Sequence, residues 1–559
     1  MAKSIDSKVV FITTSPRTAE KMIPEIGLLA ENFSGKKWNK TTQTEFMELL
    51  REENFFNGTG SNSPDFSARD RINRAPKALG FVKLSPVIEL TEAGKMLVSS
   101  RRKEEVFLRQ LIKFQIPSPY HNPSEKAANF YVKPYLEIIR LIHYFGSLKF
   151  DELTIFGLQL IDYRNFDKIV KKIEAFRLKR ETTAKSYKQY KFMVQMNELQ
   201  EIYASELNTG DTFVRENIGN SEKKFLTTKA NNMRDYADAC VRYLRATGIV
   251  NISQVGKSLS IVKEKMDEVE YILNNTDRNP VFVDDEDKYL TYLGNPKLPL
   301  LLTDNKKDLV EKLRKEFPEE IISEQANVFE LKEKLDDLIL EKKNKIIDEQ
   351  ITSIKDFKQY DEIQDVFTQI ENNELYDSSL MLEWNVWRGM TMLDGGNIIA
   401  NLKFDDFGKP MATAQGNMAD IVCDYGNFNL IVEVTMATGQ RQYEMEGEPV
   451  SRHLAKVKKE TNKPSYCFFI APTINEACIA HFYALHNMNI SYYGGKSIII
   501  PIQLNVFRKM IEDSSKVAYA PNPEQVRDFC EYSASIISSC KSEQDWYNKI
   551  TRKALNWLA

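Results

Sequence analysis

Two acidic residues, Asp420 and Glu433, flank a segment whose composition predicts a β-hairpin. The runs on either side are rich in strand-forming residues, and Gly426-Asn427 between them can form a two-residue turn. A turn at that pair places Asp420 and Glu433 opposite each other, with Cβ atoms about 5 Å apart. Like charges that close are destabilising unless a cation lies between them. The spacing therefore predicts a divalent-metal site and a hydrolase of the phosphodiester kind.

The alternation of residues along the second strand predicts two different faces. Phe428, Leu430 and Val432 would lie on the face that packs against the core. Glu433 and Ile431 would lie on the other face, which Asp420 shares. The alternative is that Asp420 is a solvated acid near the turn and Glu433 an exposed strand residue.

Two further candidates follow the hairpin. Glu446 and His453 are seven residues apart, a spacing that places them on one side of a helix. A basic helix is predicted over roughly residues 449–460, although Gly447 and Pro449 leave the start of the helix uncertain. Glu446 could orient a water molecule or bind metal, and His453 could contact the scissile phosphate or assist the leaving group. A lone histidine on a helix face is the alternative for His453.

Hard oxygen ligands favour Mg²⁺, which binds few carboxylates and keeps several waters. We therefore expect Mg²⁺ as the cofactor, with Asp420, Glu433 and Glu446 as its ligands. Arg452 and Lys456, beside His453, suit a phosphate backbone.

The overall composition is that of a globular protein with several domains. The chain has 559 residues, too many for a single core, with 42% hydrophobic and 28% charged residues. No segment reaches the ~18 uncharged apolar residues of a membrane span, and the N-terminus does not resemble a signal peptide. The six cysteines form no CxxC pair, which predicts buried thiols and a reduced, cytoplasmic chain.

Charge is distributed unevenly along the chain. Residues 1–280 contain 44 Lys and Arg against 35 Asp and Glu, whereas residues 281–559 contain 32 basic and 44 acidic residues. A basic half suggests a polyanionic partner such as DNA, although an excess of this size also suits an ordinary solvated surface.

The basic half contains patterns typical of DNA-reading modules. Residues 67–82 predict a basic helix stopped by Gly80, followed by two short strands around Ser85-Pro86 and a helix capped by Thr91. This order resembles a winged helix, with Arg69, Arg71, Arg74 and Lys77 as candidate DNA contacts. The alternative is a small structural module.

A second helical block is predicted over residues 125–275. Residues 250–252 and 259–261 there could form another wing. Residues 176–191 interleave basic residues with tyrosines, which suits a phosphate backbone or a solvated helix and loop.

The remaining chain is predicted to be a helical connector followed by an α/β region. Residues 304–373 combine helical apolar spacing with many Lys and Glu residues, which predicts the helical connector. Beyond residue 376, a helix precedes the hairpin, and two continuous apolar runs separated by a helix predict parallel strands covered on both faces.

Several motifs together resemble the type IIS restriction endonucleases of the AlwI, PleI and MlyI group, which includes closely similar nicking endonucleases. In the C-terminal part these are Gly416-Asn417-Met418-Ala419-Asp420, Val432-Glu433-Val434-Thr435 and Met445-Glu446-Gly447-Glu448-Pro449-Val450-Ser451-Arg452-His453. In the N-terminal part they are Ser15-Pro16-Arg17, Ser67-Ala68-Arg69-Asp70-Arg71, residues 90–97 and residues 294–299.

The resemblance implies a multidomain α/β protein with three parts. Residues 1–280 would be a mostly helical DNA-recognition region with winged-helix subdomains at about 1–120 and 121–280. Residues 281–375 would be a helical linker, and residues 376–559 a nuclease domain with a mixed sheet of the PD-(D/E)xK type.

The resemblance also implies functional roles. Asp420, Glu433, Glu446 and His453 match the family's catalytic positions, and Glu383 resembles an accessory acid. In the N-terminal part, Arg17 joins the candidate DNA contacts.

Two residues depart from the general nuclease pattern. Ala419 occupies the position of the usual proline before the first acid, and Thr435 occupies the position of the usual lysine. The role of that lysine would fall to His453, Arg452 or a second metal ion.

The expected function is a Mg²⁺-dependent endonuclease that cuts DNA to one side of a short asymmetric sequence. With a single acid cluster, it would cut both strands as a homodimer on DNA or with a small partner subunit, or it would nick one strand. Alternatives are a non-catalytic winged-helix DNA-binding regulator with a nuclease-like domain, and an RNA-directed or structure-specific nuclease.

Overall fold

The computed structural model describes residues 8–53, 55, 63–121, 130–213, 221–323, 325–393, 396–413, 418–517 and 523–558. Backbone contacts divide the chain into two compact units, the first ending at Asp337 and the second comprising the chain from Leu338 onward together with Glu53 and Phe55. The boundary falls within a single helix, Val328–Lys355. We call these two parts unit 1 and unit 2.

Unit 1 is mostly helical. Its helices, with the one that crosses the boundary, are α1 (Met22–Phe33), α2 (Lys40–Glu52), α3 (Pro64–Ile72), α4 (Ala75–Ala78), α5 (Glu92–Ser99), α6 (Lys103–Lys113), α7 (Pro134–Phe145), α8 (Phe150–Ile155), α9 (Phe166–Thr182), α10 (Tyr187–Ile202), α11 (Ala204–Thr209), α12 (Glu222–Arg245), α13 (Met266–Asn275), α14 (Glu286–Leu293), α15 (Lys306–Glu316) and α16 (Val328–Lys355). Its strands are β1 (Val82–Lys83), β2 (Glu89–Leu90), β3 (Leu148–Lys149), β4 (Val250–Ile252) and β5 (Ser258–Ile261).

The first predicted DNA-reading module has the expected order of elements but a broken first helix. Strands β1 and β2 pair antiparallel, and Thr91 caps α5 by accepting a hydrogen bond from the Gly94 amide at 3.0 Å. The single helix predicted over residues 67–80 is wrong, because Arg74 (ψ −104°) leaves the helical region between α3 and α4. Pro76, in the first turn of α4, lacks the N–H that would continue α3.

The strands predicted in the second helical block are present. Strand β5 pairs antiparallel with β4 and with β3, so that the three form one small sheet with β5 at its centre. The winged-helix assignment of both modules remains a prediction.

Residues 281–375, expected as a linker, contribute to both units. In unit 1, the buried Lys113 Nζ donates to the carbonyls of Leu293 and Asn295, both at 2.7 Å, which holds the end of α14 against α6. In unit 2, Ile363 and Phe367 lie in the hydrophobic core. The assignment of DNA recognition, linker and nuclease functions to the three predicted domains remains a proposal.

Unit 2 contains a five-stranded mixed sheet surrounded by helices. Its elements are α17 (Tyr360–Glu371), α18 (Ser378–Leu393), β6 (Asn397–Ala400), β7 (Lys403–Phe404), β8 (Pro410–Ala412), β9 (Ile421–Asp424), β10 (Asn429–Val434), α19 (Gln440–Thr461), β11 (Ser465–Ala471), α20 (Glu476–Asn487), β12 (Ile499–Gln503), α21 (Leu504–Lys516), α22 (Pro523–Ser535) and α23 (Glu543–Ala554). The strand order is β12-β11-β10-β9-β6, and β7 pairs with β8 separately.

The sheet confirms the predicted strand directions. Strands β10, β11 and β12 run parallel, and β9 pairs antiparallel with β10 and β6. Every residue of β11 is buried, as expected of a parallel strand covered on both faces. A mostly helical, multidomain α/β protein with a mixed C-terminal sheet is therefore confirmed.

Two composition-based expectations can be compared with the structure. All six cysteines are free thiols; Cys240, Cys423, Cys467, Cys478 and Cys530 are buried and Cys540 is partly exposed. Within the described ranges, no helix combines the length and hydropathy needed to cross a membrane.

Candidate active site

The hairpin has the predicted register. Asn429 pairs with Asp424 and Val432 pairs with Ile421, so the ladder extrapolates to Glu433 opposite Asp420. Asp420 lies one residue before β9, and its Oδ2 accepts a hydrogen bond from the Val434 amide at 2.8 Å. This bond ties the aspartate to β10 directly beside Glu433.

Both faces of β10 are buried, including the face that carries Glu433. All six residues of the strand are buried, because α19 packs against the face that carries Glu433. Glu433 is 5% exposed, so the alternative of an exposed strand residue is wrong. Its Oε1 lies 2.8 Å from His453 Nδ1 on α19.

The helix that carries Glu446 and His453 begins earlier than predicted. It starts at Gln440 rather than near residue 449 and continues through Gly447 and Pro449. A Cβ on Gly447 would lie 3.1 Å from the Tyr443 ring, so glycine permits the close packing there. The seven-residue spacing therefore places Glu446 and His453 on one side of a continuous helix, as expected.

Thr435 has a definite role in this arrangement that sequence reasoning missed. Its hydroxyl accepts a hydrogen bond from the Ala437 amide at 3.0 Å, and it also bonds the Glu446 carboxyl. This bond lowers the pKa of Glu446, as a donor to a carboxylate does, so the Thr435 hydroxyl donates to Glu446. The residue in the place of the usual lysine thus positions an acid of the cluster.

Gln442 fixes the start of α19 and was not identified from the sequence. This fully buried side chain donates to the carbonyls of Ala437 (2.9 Å) and Thr473 (2.8 Å) and accepts from the Asn475 amide (2.7 Å). It therefore joins the loop after β10 to the loop after β11. Glu446 lies one turn beyond Gln442 on the same helix. The hydrogen bonds of Gln442 therefore also fix the position of the Glu446 backbone.

The three acids repel one another electrostatically. Burial and the neighbouring Glu433 carboxylate raise the pKa of Asp420 well above its usual value, although the Val434 amide opposes the shift. Burial and Glu446 raise the pKa of Glu433 well above its usual value. Burial also raises the pKa of Glu446, and its hydrogen bond from Thr435 opposes that change. A cation among the three would relieve this repulsion.

His453 is neutral in these surroundings. Burial and the adjacent Arg452 guanidinium lower the pKa of His453 to about 4. The His453 side chain is 12% exposed. Arg452 also forms an ion pair with Glu448 at 3.2 Å. A neutral imidazole that donates from Nδ1 to Glu433 keeps Nε2 as a hydrogen-bond acceptor.

The donor chemistry of the cluster suits a hard divalent cation, although the side chains are not in a ligating arrangement. Across the described ranges, no three His, Cys, Asp or Glu side chains are placed to hold a metal ion. Asp420 and Glu433 each direct one oxygen to a protein donor instead. Three carboxylates whose pKa values are all raised nevertheless form the oxygen-rich, mutually repelling set that a divalent ion stabilises.

The other predicted site residues of unit 2 lie on α18 and α19. Glu383 is 8% exposed on α18, a helix that contacts β6 and β10. Lys456 lies on α19, one turn beyond Arg452, and is partly exposed. Gly416 and Asn417, from the motif before Asp420, lie outside the described residues. The catalytic and metal-binding roles of all these residues remain predictions.

The candidate DNA contacts of unit 1 are engaged with acidic residues. Arg71, for example, pairs with Glu25, whose side chain is 3% exposed. Lys77 also lies 4.4 Å from the centre of the Tyr120 ring, and burial lowers its pKa. The ion pairs are Arg17 with Asp235 (2.8 Å) and Asp238 (3.7 Å), Arg69 with Asp65 (3.6 Å), Arg71 with Glu25 (3.1 Å), Arg74 with Asp70 (2.5 Å) and Lys77 with Glu286 (3.9 Å). Their DNA-binding role remains a prediction.

Comparison with known proteins identifies a family over most of the chain. The family model described as AlwI restriction endonuclease matches residues 77–510. No curated protein gives a significant match.

Two solved structures are similar to parts of the chain. The small subunit (R.BspD6I2) of the heterodimeric restriction endonuclease R.BspD6I is 23% identical, with a TM-score of 0.28 over 35% of this chain and 95% of that one. The BpuJ1 endonuclease binding domain, solved with pyrene- and phenanthrene-modified DNA, is 14% identical, with a TM-score of 0.32 over 49% of this chain and 92% of that one.

Proposed function

The chain belongs to the AlwI restriction endonuclease family, which implies a type II nuclease, and from this premise we propose that it is a type IIS-like, Mg²⁺-dependent enzyme. It would hydrolyse a phosphodiester bond a short distance to one side of a short asymmetric DNA sequence. Recognition would belong to the N-terminal region and cleavage to the C-terminal one.

The observation that carries the proposal is the cluster of Asp420, Glu433, Glu446 and His453, in which Glu433 is buried and the other three are partly exposed. Three neighbouring acids whose pKa values are all raised destabilise the fold unless a cation lies among them. Phosphodiester hydrolysis at neutral pH requires charge stabilisation and an activated water, which such a site can provide.

Asp420, Glu433 and Glu446 would hold the metal. When bound, Mg²⁺ would polarise a phosphate oxygen and lower the pKa of a bound water. Because Thr435 donates to Glu446 and Val434 donates to Asp420, each acid would keep one oxygen fixed by the protein while the other turns to the ion.

The basic residues of α19 would bind the substrate. His453 would orient Glu433 through Nδ1, and as a neutral imidazole it could accept a proton at Nε2. Arg452 and Lys456 lie within one turn of His453, and their positive charge suits the phosphates on either side of the scissile bond. Glu383 would be an accessory acid.

Within the described residues we identify one such cluster in the chain. A double-strand cut requires hydrolysis of one phosphodiester bond on each DNA strand. The enzyme would therefore pair with a second copy on DNA or with a small partner subunit, or it would nick one strand. A non-catalytic DNA-binding regulator is less consistent with the cluster, since all three acids and the histidine are intact.

The direct test is cleavage of supercoiled plasmid in the presence of Mg²⁺, followed by run-off sequencing of both strands. We expect discrete ends at a fixed distance to one side of a recurring sequence, and either nicked or linear product. Absence of both products over a range of enzyme and metal concentrations would contradict the enzyme, and scattered ends would contradict site specificity.

A further inference from the structure

A dense group of basic residues in unit 1 lies on α9, α10 and the turn between them. Residues 168–193, here called the basic helix pair, contain nine Lys and Arg residues and two Glu residues. The whole protein has a net charge of −3, so this segment stands out against a slightly acidic chain. Every residue in it lies within the described ranges.

Some of these basic residues are used inside unit 1. Arg177 pairs with Glu152 at 2.7 Å, Lys172 with Glu198 at 2.6 Å and Lys191 with Asp151 at 3.1 Å. The pairs of Arg177 and Lys191 attach the helix pair to α8, and the pair of Lys172 joins α9 to α10.

The remaining lysines are exposed and have no acid partner in the described structure. They are Lys168, Lys171, Lys179, Lys185 and Lys188. On α9, Lys168, Lys171 and Lys179 lie on one helical face, opposite the buried Ile169, Ile173 and Phe176. Lys185 and Lys188 extend this positive surface across the turn.

The turn that presents these lysines is held in a defined conformation. Ser186 and Gln189 form a capping box at the start of α10. The Tyr190 hydroxyl donates to the Phe176 carbonyl at 2.8 Å, and the two rings stack with centroids 5.1 Å apart. Arg180 donates to the Lys185 carbonyl at 3.2 Å. The positive surface is therefore preorganised, which lowers the entropic cost of binding a ligand.

This arrangement contrasts with that of the arginines predicted to contact DNA. Arg17, Arg71 and Arg74 each form an ion pair with an acid, so a phosphate would have to compete for them. Lys179, Lys185 and Lys188 face no such competition, since they have no acid partner in the described structure. Leu178 and Phe192, 65% and 62% exposed, add apolar surface among the charges that a sugar-phosphate backbone could cover.

We propose that the basic helix pair is a DNA-backbone contact of the recognition region, with Lys179, Lys185 and Lys188 binding phosphates of double-stranded DNA. This assignment rests on the proposed function, since it presumes a DNA substrate. The contact is independent of base sequence, so it contributes affinity and register and leaves base readout to other residues.

The test is the salt dependence of binding to a labelled, mixed-sequence DNA duplex without divalent metal, so that no cleavage occurs. Each phosphate contact contributes about 0.9 to the slope of log K against log salt. The triple variant Lys179→Ala, Lys185→Ala, Lys188→Ala should therefore reduce the slope by up to about 2.7, with unchanged circular dichroism and thermal midpoint.

A matched control removes the same charge elsewhere in unit 1. Lys37, Lys263 and Lys307 are exposed lysines without an acid partner in the described structure. Their triple alanine variant should change the slope by much less than the variant of the helix pair. Equal slopes for the two triple variants would overturn the proposal.

Plasmid cleavage and DNA binding by the same purified proteins distinguish a failure of this proposal from a failure of the proposed function. If the wild-type chain cuts plasmid at discrete sites and the helix-pair variant keeps the full slope, only the DNA-backbone contact is wrong. If the wild-type chain binds no DNA duplex but binds RNA or anionic vesicles, both proposals fail.

Discussion

The acid cluster of unit 2 and the basic helix pair of unit 1 are built in opposite ways. Glu433 is buried and lies 2.8 Å from His453, whereas Asp420 and Glu446 are partly exposed, and the three acids repel one another. The lysines at 179, 185 and 188 are exposed and have no acid partner in the described structure. The first arrangement costs stability in the free protein, whereas the second costs little.

The difference follows from what each region would bind. A metal ion needs several ligands at fixed short distances, which only a packed site such as the β9–β10 hairpin with α19 can supply. A DNA backbone presents charge along a line, and exposed side chains on a helix can follow it. The rate of cleavage and the affinity for DNA should therefore respond to different substitutions.

The largest expected effect is on cleavage. Glu433→Gln or Asp420→Asn keeps the shape of the side chain but removes a charge from the cluster, so the rate of plasmid cleavage should fall roughly 10³-fold or more, about 4 kcal/mol of transition-state stabilisation. Duplex binding measured without metal should stay within a factor of about two.

Asp424→Asn is the control for this pair of variants. Asp424 lies at the end of β9, the strand that follows Asp420, but its side chain is exposed. It forms an ion pair with Lys463 at 3.1 Å. Its substitution should leave cleavage unchanged. An Asp420 or Glu433 variant that cuts at the wild-type rate would refute the assignment of the site.

A smaller effect is expected at Thr435. Thr435→Val keeps the shape but removes the hydroxyl that holds Glu446, so single-turnover cleavage should slow about 10–100-fold, the usual cost of losing a residue that orients a ligand. Thr435→Ser should restore most of the rate, and more Mg²⁺ should be needed for half-maximal activity of the valine variant. Equal loss in both variants would indicate a packing role only.

The sequence determined the hairpin well because a two-residue turn leaves only one register. Gly426-Asn427 therefore predicted the pairing of Asp420 with Glu433 before any tertiary contact was known. The covering of Glu433 by α19 was not predictable, because Gly447 and Pro449 argue locally against the helix that tertiary packing maintains. The same limit applies to Arg71, whose partner Glu25 is distant in sequence.

The acid cluster should also make the metal-free protein sensitive to pH. The folded pKa values of Asp420, Glu433 and Glu446 lie above their unfolded values, near 4. Their contribution to stability is thus fully present below about pH 4 and is lost as pH rises through the folded values. In EDTA, Asp420→Asn should be more stable than wild type at pH 8, by about 1–3 kcal/mol, and the difference should shrink at pH 5.

Asp424→Asn again serves as the comparison, with the opposite sign. A backbone hydrogen bond from Gly426 and the Lys463 ammonium lower the pKa of Asp424, so its contribution is present at neutral pH and is lost in acid. The free energy of unfolding in urea should therefore be larger for wild type than for Asp424→Asn at pH 8. A stabilising Asp424→Asn, or a destabilising Asp420→Asn, at pH 8 would contradict the electrostatic account.

The separation of binding from chemistry is tested most directly by competition on one cleavable plasmid. Wild-type enzyme is held constant while Asp420→Asn protein is added in Mg²⁺, and in a parallel series the added protein also carries the three alanines at 179, 185 and 188. We predict that the Asp420→Asn protein inhibits cleavage with an inhibition constant close to the wild-type Kd for DNA, and that the combined variant inhibits much more weakly. Failure of the Asp420→Asn protein to compete, or equal inhibition by both proteins, would contradict the account.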